Sequence, residues 1–554
     1  MTDHARMSAT DYMMFIGDKQ PMNRSVMTNI EILDQPPDWQ RFKETFDRLS
    51  RVIPRFRQRV VVPSLPTTAP RWVVDPDFDI DYHLRRTRLA EPGTMRQLLD
   101  TVEVFAASPL DVARPLWTTY LYEGLEGGRA AVVSHVSHVI TDGVGGLAMA
   151  EQMYDLERDG TGRRMPPLPA PGELSPNDLA VAGLKQLPGR AIGSAKSIVG
   201  TALTAGSHPL RSISWVRKLA ATAGRARAVE NSPLLVRRGL ARRTVTLQVD
   251  LPAFKAAAKQ RGGSLNDGFV TALTLALQRY HESRGVPVES IPLAVAVNTR
   301  QEGDQSEGNS FSGVVFPAPI SEPDITKRMS TIRDVVRGAR EEGVVDLAGL
   351  VAPLIVNLPG PLLAAMEGTV SMHDIQASNV MSYPIPTYMA GAKVLAQYGV
   401  GPVPGVAMMA TMVTRDGGCF ISTRYDRLAF DDDELWAESL TGGFVDFLGS
   451  EDAVSEPDGE LTTSTKRTRE ASSRKPTATK PPATKAPAAK APAAKPTAAK
   501  APAKKVPAKK VPAKKTTTKQ VPARKPTAAQ APAKKPTGNE AAASSALPEN
   551  GNES

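Results

Sequence analysis

No Phe, Trp or Tyr follows Phe447 in this chain of 554 residues. A stretch without aromatic side chains, and with few large aliphatic ones, cannot bury enough apolar surface to offset the entropy of ordering it. Folding is therefore confined to about the first 450 residues. From Thr465 to Ser554 there are 21 basic and 4 acidic residues, a net charge of +17. The preceding 464 residues hold 47 basic and 54 acidic, a net of −7. The overall charge of +10 thus belongs to the tail, and the body is mildly acidic. Ala-Pro-Ala-Lys-Lys-type units recur from Ala491 to Lys535. Proline about every five residues forbids a long helix, and lysines so spaced repel one another. Residues 451–554 are expected to be a disordered basic arm.

The body reads as mixed α and β. Phe42, Phe46 and Leu49 fall on one face of a predicted helix, and Ala130 to His135 is a short, apolar, β-branched run that predicts a buried strand. A helix is expected over Leu147 to Tyr154. These elements make a first domain of residues 1–160. Residues 161–240 are Pro-punctuated and basic, as in Met165-Pro166-Pro167-Leu168-Pro169, and read as a crossover linker with helices. A second domain, 241–450, opens with the alternating strand Val245, Leu247, Val249 and a helix from Leu251 to Lys259. Ser264 and Asp267 have capping-box spacing ahead of a helix whose face carries Phe269, Val270, Leu273, Leu277 and Tyr280. Strands are expected at Leu293–Val297 and Val314–Phe316, and a helix around Ile325–Arg337. Val406 to Arg424 reads as paired strands about an Asp416-Gly417-Gly418 turn, and Asp432 to Leu448 as a closing helix.

One cysteine, Cys419, excludes a disulfide framework and a Cys-ligated zinc site, and in an apparent strand it reads as packing. Met1-Thr2-Asp3-His4 lacks the basic-then-apolar pattern of a secretory signal, so a cytoplasmic location is expected. Val344 to Met366 is the nearest approach to a membrane span. It is broken by Asp346, Pro353, Asn357, Pro359 and Pro361, and reads as core or interdomain packing, or as short helices against a membrane surface.

The segment richest in chemistry runs from Ser134 to Gly146, Ser-His-Val-Ser-His-Val-Ile-Thr-Asp-Gly-Val-Gly-Gly. A buried strand ends there and a Gly-rich turn leads into a helix, which exposes a side chain while letting substrate approach the backbone. A histidine so placed can take a proton at neutral pH. Asp142 could orient the imidazole or hold the turn. His135, His138 and Asp142 have metal-ligand types but form a minimal set, and a histidine in a turn can also be purely structural. Spacing alone leaves the three readings open.

His138-Val139-Ile140-Thr141-Asp142-Gly143 resembles the second-His-to-Gly part of the HHxxxDG motif of CoA-dependent acyltransferases and peptide-synthetase condensation domains. Within that superfamily the chain resembles the bacterial wax ester synthase/diacylglycerol acyltransferase family. Carrying the resemblance are Pro54–Arg59, Asp75–Asp79 with Tyr82-His83, Pro109–Asp111 and Arg114-Pro115-Leu116-Trp117. Leu265-Asn266-Asp267, Gly308–Ser310 and Ser378–Val380 with Pro384 follow in the family's order. The ordered set spans about Ser8 to Phe447.

The resemblance implies an α/β (α+β) fold of two chloramphenicol-acetyltransferase-like domains forming a V, with a tunnel between them and the catalytic His at its middle. It implies His138 as general base, abstracting a hydroxyl proton from a diacylglycerol or long-chain alcohol that then attacks acyl-CoA. Acyl-CoA is then a co-substrate, with no cofactor and no metal. Asp142 matches the motif's aspartate, more architectural than catalytic in the superfamily, and Gly143 permits the tight turn. Asn266-Asp267 matches the family's Asn-Asp pair, readable as an oxyanion or substrate-binding donor or as a helix cap. Arg114–Trp117 reads as a packed turn, and His4, His83, His208, His281 and His373 carry no expected role.

Ser137 stands where the family has its first His. If that His only supports the second, Ser serves as a small hydrogen-bonding neighbour; otherwise the chain is slow or repurposed. Two alternatives follow: a catalytically weak or inactive member acting as a lipid- or polyanion-associated scaffold, and an acyltransferase using a carrier-protein thioester. The arm should bind polyanions without sequence readout. An anionic membrane or lipid-body surface is the expected partner, giving a peripheral location, and nucleic acid is the other candidate.

Overall fold

A computed structural model describes residues 5–140, 149–160, 163–186, 230–298, 311–341 and 373–455. The N-terminal lobe is built on a six-stranded sheet. Its centre is β1 (Val26–Leu33), flanked on one side by β6 (Arg129–Ser137), then β5 (Trp117–Leu125) and β4 (Leu84–Arg88). β2 (Gln58–Val61) and β3 (Arg71–Val74) form a separate two-stranded sheet whose Val60 and Trp72 pack into this lobe's core. Among this lobe's described helices are α1 (Ala9–Gly17), α2 (Trp39–Val52), the short α3 (Ile80–His83) and α4 (Met95–Ala106). α2 buries Phe42, Phe46 and Leu49, the face its sequence period predicts. α4 opens with a complete capping box between Thr94 and Gln97.

The C-terminal lobe carries a seven-stranded sheet. In spatial order it runs β15 (Val454–Ser455), β7 (Arg242–Asp250), β14 (Gly418–Asp426), β13 (Met408–Arg415), β10 (Ile375–Met381), β8 (Ser290–Asn298) and β9 (Phe311–Pro319). Helices α5 (Leu251–Gln260), α6 (Leu265–Ser283), α7 (Ile325–Glu341) and α8 (Asp433–Leu448) accompany it. The β13–β14 hairpin turns at Asp416 and Gly417, whose φ of 39° and 80° are those of a tight two-residue turn. Cys419 lies buried in β14, and burial pushes its thiol up to about 12, consistent with packing.

One strand joins the lobes. β12 (Ala392–Val400) comes from the 241–450 stretch but pairs antiparallel with β1, and β11 (Tyr388–Met389) follows it at the edge. β12 also lies against β13, where a Cβ on Gly399 would meet the Thr411 side chain at 2.9 Å. Glycine lets the two sheets approach there. The predicted helix over Leu147–Tyr154 is seen at residues 149–153. The Val344–Met366 run and residues 456–554 lie outside the described residues, whereas residues 451–455, expected to belong to the disordered arm, are ordered and end in β15 on the edge of the second sheet. No described helix is long and apolar enough to cross a membrane.

Candidate active site

β6 is buried along nearly its whole length and ends at Ser137. The chain then turns through His138, Val139 and Ile140, with the Ile140 N–H donating to the Ser137 carbonyl at 3.0 Å. Val139 and Ile140 sink into the N-terminal core, and these apolar anchors pin the turn while His138 stays half-buried. Asp142 and Gly143 lie outside the described residues.

The turn is buttressed from behind. The Ser137 N–H donates to the Leu116 carbonyl at 3.0 Å, just ahead of β5. Next to it, the fully buried Trp117 donates its Nε1–H to the Phe56 carbonyl at 2.8 Å and stacks on His83 at 4.4 Å. Burial pushes His83 down to about 4, so the ring is neutral and its Nδ1–H donates to the Trp117 carbonyl at 2.7 Å. Arg114 lies 3.7 Å from Asp75, and the Arg57 guanidinium sits over the Phe78 ring at 4.2 Å. Sequence stretches scattered between residues 54 and 117 thus converge on one rigid frame. Arg114–Trp117 is the packed turn expected, and His83, to which no role was expected, is a structural part of this frame.

His135 is a core histidine. It is 1% exposed, its Nδ1 lies 2.9 Å from the Thr28 hydroxyl and its Nε2 lies 3.4 Å from the Ser108 carbonyl. Burial pushes its pKa down to about 4, so it stays neutral at physiological pH. With both nitrogens engaged, it has none to offer a metal.

The residue that sequence reasoning missed is Asp18, which caps the C-terminus of α1. Its Oδ1 accepts from the Ser25 N–H at 2.6 Å and the Ser25 hydroxyl at 2.8 Å. Its Oδ2 accepts from the Ser137 hydroxyl at 3.2 Å. Burial pushes the Asp18 carboxyl above its ordinary value; the bonds from Ser25 and Ser137 and the His138 charge pull it back. A carboxylate from the end of the first helix is thus tied to Ser137, the residue before His138, within reach of the charge on that imidazole. No motif signals this, because Asp18 lies 119 residues from Ser137 in the chain.

Asn266 and Asp267 lie in the other lobe, on the first turn of α6. The Asp267 carboxylate accepts from the Ser264 N–H at 2.8 Å, and the Asp267 N–H donates to the Ser264 hydroxyl at 3.3 Å. That capping box uses up Asp267; Asn266 is half-buried beside it. Chemically, the β6 turn offers a half-buried imidazole that can accept a proton, with a fixed carboxylate to stabilise the cation formed.

Two family models match the chain: the wax ester synthase/diacylglycerol acyltransferase catalytic domain over residues 4–269, and the C-terminal domain of the same family over residues 307–444. A Mycobacterium tuberculosis protein named "putative diacylglycerol O-acyltransferase" is 47% identical over 444 residues, covering 79% of this chain and 90% of the relative. Another from that organism, named a probable diacylglycerol O-acyltransferase, is 27% identical over 358 residues, covering 62% of this chain and 76% of the relative. Among solved structures, the wax ester synthase/diacylglycerol acyltransferase of Marinobacter aquaeolei aligns with a TM-score of 0.55 at 20% identity, over 80% of this chain and all of that one. The first condensation domain of the calcium-dependent antibiotic synthetase aligns equally, with a TM-score of 0.55 at 14% identity, over 83% of this chain and 98% of that one. These two structural likenesses speak to the fold.

Proposed function

The chain belongs to the wax ester synthase/diacylglycerol acyltransferase family, and from that premise we propose that it moves a long-chain acyl group from acyl-CoA to the hydroxyl of a diacylglycerol or long-chain alcohol. It is an acyltransferase; the donor, the acceptor and the residue roles are the proposal. The observation that carries it is the half-buried His138 turn with Asp18 held against it through Ser137.

In this reading a ring nitrogen of His138 takes the proton of the incoming hydroxyl. The oxygen attacks the thioester carbonyl carbon, forming the new C–O bond and a tetrahedral oxyanion. The C–S bond then breaks, and the proton on His138 passes to the departing thiolate, leaving ester and free thiol. No covalent acyl-enzyme and no cofactor is needed. Asp18 is a positioning residue that stabilises the transient imidazolium, and Ser137 keeps the support that a first histidine would give. Asn266 is the candidate donor to the oxyanion, a role in which one aimed hydrogen bond contributes about 3–4 kcal/mol. The basic arm, at net +17, attaches the enzyme to an anionic membrane or lipid-body surface, near its apolar substrates.

The test incubates purified protein with palmitoyl-CoA and a panel of alcohols, followed by thin-layer analysis of the products. Ester formation is expected, and His138→Ala should lower it roughly 10²–10⁴-fold, the usual contribution of a positioned base. Undiminished ester from that variant would refute the role of His138. Running acyl-carrier protein beside acyl-CoA identifies the donor.

A further inference from the structure

A cavity of about 250 Å³ opens between the two lobes. Its wall takes Arg24, Val26 and Ala107 from the N-terminal lobe and Arg242, Val403 and Arg424 from the C-terminal lobe. Val26 is the strand partner of Ser137, so the cavity borders the residue that precedes His138. At about 30 Å³ per liquid water, it has room for several non-hydrogen atoms of a ligand beyond a single ion.

Its three arginines are held differently. Arg242 is anchored by Asp426 at 2.6 Å, and Arg424 by Glu103 at 3.0 and 3.1 Å. Those carboxylates stand behind the lining; Asp426 is fully buried and Glu103 nearly so. They fix two guanidiniums in place and cancel their charge. Arg24 has no such counter-ion among the described residues. It donates to the Ala107 carbonyl, and its Nε is buried without a partner. The cavity therefore keeps one positive charge in surplus and an unspent guanidinium donor. Burial presses Arg242 below its ordinary value, against the pull of Asp426 and Glu103. Preorganised guanidiniums converging from two lobes suit an anion with several oxygens, because their planar forks match phosphate. The apolar remainder, Met22, Val26 and Val403, suits an uncharged arm attached to it.

We propose that this cavity binds a phosphoryl group of the thioester substrate, with Arg24 as its principal ligand and Arg242 and Arg424 as fixed flanking donors. The proposal rests on the acyl-CoA reading above and adds where the donor's charged end is gripped. A phospholipid headgroup offers the same chemistry, and the test separates the two.

Palmitoyl-CoA is compared with S-palmitoyl-pantetheine, which carries the same thioester and arm without phosphate, as donors for the full-length protein. Wild type is expected to show a lower KM for palmitoyl-CoA. Arg24→Ala should shrink the ratio of the two KM values about tenfold, the loss of one charge-assisted phosphate contact. Arg24→Lys, which keeps the charge but not the fork, should restore part of it. An unchanged ratio overturns the proposal. Calorimetry with free CoA and with dihexanoyl phosphatidic acid reads binding without turnover. Arg24-dependent binding of CoA supports the proposal. Arg24-dependent binding of phosphatidic acid alone overturns the donor assignment, and no Arg24-dependent binding of either overturns the site. If wild type acylates nothing from either donor but binds CoA through Arg24, the acyl-transfer reading falls and the phosphate site stands.

Discussion

Two turns in this molecule each pair a serine with an acid, half-buried in one and buried in the other, and they put the acid to different use. At the head of α6, Asp267 and Ser264 lie three residues apart and satisfy each other's backbone N–H groups. At the end of β6, Asp18 comes from a helix 119 residues away from Ser137, accepts from two serines and still feels the charge of His138. The first acid is consumed by local structure. The second is brought at the expense of desolvation to a place where a cation can form. What separates a cap from a functional carboxylate is thus the partner left over once backbone groups are satisfied.

The strand feeding the second turn gives the largest expected effect. His135 falls from its ordinary 6.5 to about 4 in the fold. The unfolded chain then takes up that proton more readily, so the contribution of His135 to stability is complete above pH 6.5 and lost as pH falls toward 4. Over that window the loss amounts to about 3 kcal/mol. His135→Gln keeps a donor and an acceptor for Thr28 and Ser108 but cannot titrate. Denaturant midpoints between pH 7 and 4 should fall less steeply in this variant than in wild type. Parallel curves would mean that the ring is protonated in place, and the contrast between a neutral His135 and a working His138 would fail.

Asp18→Asn comes next. Asn keeps an acceptor for Ser25 and a donor for the Ser137 hydroxyl, and it removes an ionised group that burial disfavours. The raised carboxyl pKa means that Asp18 adds stability at low pH and loses it as pH rises through the folded value. The variant should therefore melt no lower than wild type at pH 8. Its kcat should drop about tenfold, the worth of one weakened charge–imidazolium interaction of about 1.4 kcal/mol. Lower melting with unchanged kcat would make Asp18 another Asp267.

Asp267→Ala should show the reverse pattern. Loss of the cap costs about 1 kcal/mol of stability, read as a shift in denaturant midpoint, with kcat unaltered. A tenfold fall in kcat would return Asp267 to the catalytic apparatus and dissolve the contrast between the turns.

Sequence patterns made much of this frame readable, for a physical reason. Periodicity and capping are local: the alternation of Val245, Leu247 and Val249, the face of α2, the Ser264–Asp267 box and the Asp416-Gly417 turn are each written within a few residues of themselves. The ordered stretches around Phe56, Asp75 and Trp117 could be recognised, though their convergence behind Ser137 could not be derived from them. Pairings at long range were invisible. Nothing in Ala392–Val400 indicates that it completes the first sheet beside β1, because a strand's pattern states which face is buried and not which strand lies next to it. Asp18 was hidden for the same reason, since its importance lies wholly in a neighbour far along the chain.

The smallest effect is the most discriminating. The Ser137 hydroxyl reaches Asp18 at 3.2 Å, whereas Ser25 supplies two bonds at 2.6 and 2.8 Å. If Asp18 acts on the ring directly, Ser25 alone should hold most of its geometry. Ser137→Ala then removes one long hydrogen bond of about 1 kcal/mol or less, and kcat falls no more than about fivefold. If Ser137→Ala instead matches Asp18→Asn, the carboxylate works by fixing the backbone before His138 rather than by its charge. The double variant decides between the two: additive losses mean separate contributions, and a loss no larger than either single one means a single relay from Asp18 through Ser137 to the turn.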